Sequence, residues 1–166
     1  DDIRRAGTAA GLWMVGAAIS AILALANVLG TPLSEAIRPA VISKYAWDIP
    51  GVRAFLMTAV LAGAIWVAAR YARSLAAAAG WWVVALVALS LPALTGHAAG
   101  YGNHSLALTS GVVHTLASAT WAGGLLALAY HGWRGDAGVT QAALRYSNVA
   151  LASVGFLLLS GIGNAW

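Results

Sequence analysis

Long apolar stretches separated by short polar segments dominate the chain. Five of them approach the roughly 20 predominantly apolar residues that a helix needs to cross a bilayer. No stretch shows the strict apolar–polar alternation of a half-buried strand. The pattern therefore predicts an all-α fold, a polytopic transmembrane helical bundle with five spans, at about 6–29, 52–69, 80–95, 106–130 and 146–166.

The polar segments between the spans are predicted to be loops. Residues 30–51 contain three of the four prolines, and their 35–44 part is predicted to form a short surface helix. Residues 96–105 form a polar, glycine-rich turn, and 132–141 form a loop. We interpret 1–166 as a single membrane-embedded domain. Because the chain opens on Asp1 without Met and stops at Trp166 inside or just after an apolar segment, we expect it to be trimmed at both ends.

Composition supports a lipid bilayer as the surrounding solvent. The chain is 61% hydrophobic and 8% charged, whereas soluble domains carry about 25% charged residues. The net charge of +4 comes from scattered basic residues, which indicates membrane topology signals and no nucleic-acid partner. The absence of cysteine excludes disulfides, thiolate metal sites and cysteine-dependent catalysis.

Charge also predicts the orientation. Five spans place alternate loops on opposite sides, and the positive-inside rule assigns the arginine-rich side to the cytoplasm. The turn at 96–105 is then expected to face outward, away from the cytoplasm. The side with more arginines carries six of them: Arg4, Arg5, Arg70, Arg73, Arg134 and Arg145.

Three of the four histidines, His97, His104 and His114, lie within eighteen residues around the outward turn. The short connection makes the third and fourth spans antiparallel, which brings His97 and His114 to the same end. His114 lies about 12 Å below the start of the fourth span, where a polar side chain is costly and usually functional. Imidazole is the commonest protein ligand of copper and zinc. The cluster therefore predicts a metal site.

Two points stay open at this site. His114 has an alternative role, because it could simply hydrogen-bond Ser110 or Ser118 on its own helix. Met57 lies about two turns into the second span, and its thioether suits Cu(I), although a lone Met in a membrane helix more often serves packing. With only two methionines in the chain, histidine is the main candidate ligand type.

The remaining patterns indicate structure and no enzymatic activity. The chain has no intramembrane acid, phosphate loop, nucleophile elbow or HExxH motif. The pairs Ala119/Gly123 and Thr120/Gly124 are small-xxx-small pairs that allow close helix packing. His131, at the other end of the fourth span, is expected to be an interfacial residue.

At these residues the chain resembles the copper resistance D (CopD) family of bacterial inner-membrane proteins. The resemblance rests on LTGHA at 94–98, His114 followed by TLASATWAGGLLAL, LRYSNVAL at 144–151 and LSGIGNAW at 159–166. It covers most of the chain after about residue 50. It implies copper uptake or handling, beside a periplasmic copper-binding protein. In many actinobacterial relatives the module is fused to a cytochrome oxidase assembly module of the CtaG type.

Three functions are compatible with these observations. The first is a copper-binding or copper-transporting module that uses His97, His104 and His114, with Met57 as a helper. The second is a haem protein in which His97 and His114 ligate one iron. The third is a non-catalytic accessory subunit that packs on a respiratory oxidase complex.

Overall fold

A computed structural model describes residues 2–71, 74–95 and 104–165, with side chains at 5–71, 74, 76–95 and 106–162. Seven helices occupy these ranges: α1 (Asp2–Leu29), α2 (Leu33–Ala36), α3 (Pro39–Tyr45), α4 (Pro50–Ala68), α5 (Leu75–Ala93), α6 (His104–Trp133) and α7 (Val139–Ala165). Within them there is no strand, which confirms the predicted all-α class. The chain divides into two compact units, Asp1–Gly96 and His97–Trp166.

Five helices are long and apolar enough to cross a membrane: α1, α4, α5, α6 and α7. This confirms the prediction of a multi-pass membrane protein with five candidate spans. Large apolar side chains such as Val60, Leu126 and Leu151 are more than 70% exposed. Water would disfavour such surfaces strongly, and a bilayer accommodates them.

Several helices extend beyond the spans predicted from hydropathy. The fifth span was expected to start near Tyr146, and α7 begins seven residues earlier, at Val139. The third was expected from Gly80, and α5 begins at Leu75, with the Ser74 hydroxyl accepting from the N–H of Ala77. Hydropathy marks the apolar segment alone, whereas helical hydrogen bonding continues into polar residues at the membrane surface.

The prediction of one short helix at 35–44 is wrong, since two short helices, α2 and α3, cover this region. Arg38 between them has an extended backbone, with ψ of 131°. Pro39 disfavours a helical conformation at the preceding residue, so the helix is interrupted there. Nor does the segment lie only on the surface, because Val41, Ile42 and Tyr45 pack against the core of the first unit.

That core lies where the end of α1, the end of α3 and the start of α4 meet. Its buried members are Ala21, Leu25, Ala46 and Val52. The chain leaves α1 through Gly30, whose φ of +62° suits glycine. The N–H of Thr31 then bonds the carbonyl of Ala26 at 3.1 Å. This cap turns the chain back, so that α2 and α3 can close the end of the unit.

Small residues bring α1 and α4 together along their length. A Cβ at Gly63 would lie 3.0 Å from the sulfur of Met14, and one at Gly7 would lie 2.9 Å from Cβ of Ala69. Met14 therefore packs on the glycine surface of α4. Close helix approach of this kind is the usual source of association energy between membrane helices.

Helix α5 is joined to α4 by a buried hydrogen bond at Thr58. The Thr58 hydroxyl lies 2.9 Å from the carbonyl of Ala54 on its own helix and 3.0 Å from the carbonyl of Ala88 on α5. In a regular helix, the Ala88 carbonyl would accept from the N–H of residue 92. That residue is Pro92, which has no N–H. Thr58 thus places a hydroxyl, with one proton to donate, against a carbonyl that the proline leaves without its helical partner.

The second unit is a pair of long antiparallel helices, α6 and α7. They are joined by a short turn in which Gly135 has φ of +70°. Beside it, Nδ1 of His131 lies 2.7 Å from Oδ2 of Asp136. His131 was expected to be an interfacial residue, and it lies in the last turn of α6 next to this turn.

Candidate metal centre

The candidate ligands are distributed over both compact units. His114 lies in α6 and is partly buried, while Met57 lies in α4 of the first unit with 43% of its surface exposed. His97 lies outside the described residues. His104 is the first residue of α6, and its side chain lies outside the described part. The geometry of the site is therefore built from His114.

His114 forms a hydrogen bond with the neighbouring helix. Its Nδ1 lies 3.1 Å from Oγ of Ser160, a residue of α7 with 5% of its surface exposed. The Ser160 hydroxyl donates its proton to the carbonyl of Phe156, at 2.6 Å. Its oxygen therefore accepts, and the proton between the two side chains belongs to Nδ1 of His114. This arrangement favours the tautomer of the ring that carries its proton on Nδ1.

A second hydrogen bond from α6 also ends on Ser160. The hydroxyl of Ser110, one helical turn before His114, donates to the backbone carbonyl of Ser160 at 2.6 Å. Ser110 and His114 are four residues apart and share one face of α6. The alternative that His114 bonds Ser110 or Ser118 on its own helix is wrong. Both Ser110 and His114 reach across to Ser160.

The network leaves the other ring nitrogen of His114 available. Among the described residues, no group hydrogen-bonds Nε2. With Nδ1 protonated and held, Nε2 carries the lone pair that binds metals. Histidine ligands of metals characteristically donate their second ring N–H to a fixed acceptor in this way. The arrangement can therefore present one oriented imidazole nitrogen from within the helix pair.

The structure changes the placement of His104. It was expected in the turn before the fourth span, and instead it begins α6, ten residues before His114. A helical rise of 1.5 Å per residue separates the two by roughly 15 Å along one helix. Within the described ranges, no group of three or more potential metal-binding side chains gathers in one place. His104 and His114 thus lie at two separate positions along α6.

One residue of the site was not identified from sequence. In the sequence, Ser160 is only a polar residue near the end of the fifth span, and nothing there pairs it with His114. The available signal was a serine near the end of an apolar helix that runs antiparallel to the helix carrying His114. Gly124 was expected to serve packing, and it does, since the Tyr146 ring lies against it. Gly123, expected likewise, has open space beside it.

Comparison with known proteins adds no relative to these observations: no family model, no curated protein and no solved structure matches the chain.

Proposed function

We propose that this protein binds copper and moves it into or across the bacterial inner membrane, with capture at the outer face by histidines. The observation that carries the proposal is the oriented imidazole of His114, whose Nδ1 is hydrogen-bonded to Ser160 at 3.1 Å. Imidazole nitrogen suits copper among the late first-row metals. The resemblance of the surrounding motifs to the copper resistance D family favours copper over zinc.

The proposed route follows α6. His104 at the start of the helix and His97 before it are the outer positions, and His114 is the inner one, roughly 15 Å further along the axis. An ion held first near the surface would be passed inward to Nε2 of His114. Met57, on α4 of the first unit, is a separate candidate as a thioether ligand for Cu(I). Copper is the cargo here, and a periplasmic copper-binding protein and an oxidase assembly module are the proposed partners.

Copper stoichiometry of the purified protein is the direct test. We expect the wild type to bind copper and the variant carrying His97→Ala and His114→Ala to lose it. His131→Ala is the matched control, since it removes an imidazole that already contacts Asp136 at the opposite end of α6. Unchanged copper content in the double variant would refute the proposal.

A haem Soret band in the purified protein would favour haem ligation instead. Co-purification with oxidase subunits without metal would favour the accessory role.

The hydrogen bond to Ser160 gives a finer prediction, which depends on copper binding. Ser160→Ala removes the acceptor for Nδ1 of His114, so the ring loses its fixed orientation and tautomer. We expect copper affinity to fall by about 10- to 100-fold, as for other such supporting contacts, with the saturating stoichiometry retained. Titration with a competing Cu(I) chelator measures this change.

The control for that titration is Ser153→Ala. Ser153 is buried to the same degree as Ser160 and lies two turns earlier on α7. Ser153→Ala removes a serine hydroxyl of equal burial that does not contact His114. If both serine variants bind copper as the wild type does, the Ser160 bond has no role in metal binding.

A further inference from the structure

A half-open recess of about 420 Å³ lies in the first unit, where the end of α4 packs on the first turns of α1. Gly7, Thr8, Trp66, Ala69 and Arg70 line it. None of these residues belongs to the candidate metal centre. The recess combines one cationic side chain with one aromatic ring and one hydroxyl, a set that recognises anions at a membrane surface.

Two glycines one turn apart on α1 shape this recess. A Cβ at Gly7 would lie 2.9 Å from Cβ of Ala69, and one at Gly11 would lie 3.2 Å from Cδ1 of Trp66. Without side chains at these positions, α1 approaches α4 closely and the indole packs directly on its backbone. The Trp66 ring is thereby held in place at the wall of the recess.

The Arg70 side chain stacks on the Trp66 ring. The guanidinium carbon of Arg70 lies 4.3 Å from the centroid of Trp66, which is a cation–π contact. Stacking uses the face of the guanidinium and leaves its N–H groups, which lie in the plane, free to donate. In the described ranges, no carboxylate pairs with Arg70. Arg5 adds positive charge on the first turns of α1.

The position of the recess along α4 indicates which anion it would meet. The apolar span of α4 ends at Ala68, and Arg70 follows by two residues. This is the level where acyl chains give way to headgroups. The arginine count assigns this end to the cytoplasm, whose leaflet is rich in anionic lipids. We propose that the recess binds the phosphate of an anionic lipid headgroup, with the Arg70 guanidinium as its bidentate donor.

The test measures thermal unfolding of the full chain in detergent with added phosphatidylglycerol or phosphatidylcholine. We expect phosphatidylglycerol to raise the Tm of the wild type and phosphatidylcholine to leave it unchanged. In Arg70→Gln the apparent affinity for phosphatidylglycerol should fall about tenfold, because a charge-assisted bidentate contact is lost. Arg70→Lys retains the charge without the planar fork and should give an intermediate affinity.

Arg38→Gln is the matched control, because it removes the same charge from the segment between α2 and α3. Equal loss of affinity in Arg38→Gln and Arg70→Gln would mean that lipid binding follows net charge, which would overturn the site. So would unchanged affinity in Arg70→Gln with a wild-type Tm in the absence of lipid. Equal stabilisation by inorganic phosphate alone would overturn the assignment to a lipid.

Discussion

Gly124→Ala is expected to destabilise the α6–α7 pair by about 2–3 kcal/mol. A Cβ at this position would overlap the ring of Tyr146. The ring has to leave, and its hydroxyl then loses its bonds to the backbone carbonyls of Thr120 and Trp121. The free energy of unfolding in a denaturing detergent titration measures the change.

Gly123→Ala provides a control at the adjacent position. A Cβ there meets nothing within 4 Å in the described structure, and alanine is the better helix former by about 1 kcal/mol. We expect stability to be unchanged or raised. Equal destabilisation by the two substitutions would show that Tyr146 does not lie against Gly124.

Thr58→Val is expected to have the second largest effect, lowering the free energy of unfolding by about 1–2 kcal/mol. Valine keeps the shape of the side chain and removes the hydroxyl that reaches the Ala88 carbonyl. That carbonyl is buried and has no backbone donor from Pro92, so the substitution leaves it without a partner. In the apolar part of a membrane such a group is particularly costly.

A double-mutant cycle with Pro92→Ala isolates this mechanism. Alanine at position 92 restores the N–H that a regular α5 would direct at the Ala88 carbonyl. In that background, Thr58→Val should therefore cost much less, with a coupling energy of about 1 kcal/mol between the two sites. Additive effects of the two substitutions would show that Thr58 stabilises the protein without replacing the proline's missing donor.

The partners of individual polar groups were less predictable than the helices that carry them. From sequence, Ser110 and Ser118 were the evident partners of His114, because each lies four residues away on the same helix. The observed partner, Ser160, is 46 residues away. Likewise, Pro92 shows in the sequence that one carbonyl of α5 lacks a donor, but it does not show that Thr58 supplies one.

The helix boundaries illustrate a milder difference. Apolar runs located all five spans, although α7 begins seven residues before the expected start. The break between α2 and α3 was available from Pro39 and its restriction of Arg38. Hydropathy alone does not show this break, because the restriction acts on the backbone of a single residue.

The sequence by itself determined the solvent and the class of the protein. A chain with 61% hydrophobic and 8% charged residues in five long runs has to form helices in a bilayer, because each run must satisfy its backbone within itself. Only the tertiary structure decided which of two adjacent glycines receives Tyr146 and which serine orients His114. Those contacts depend on how each helix is rotated about its axis, and that rotation is set by packing between residues distant in sequence.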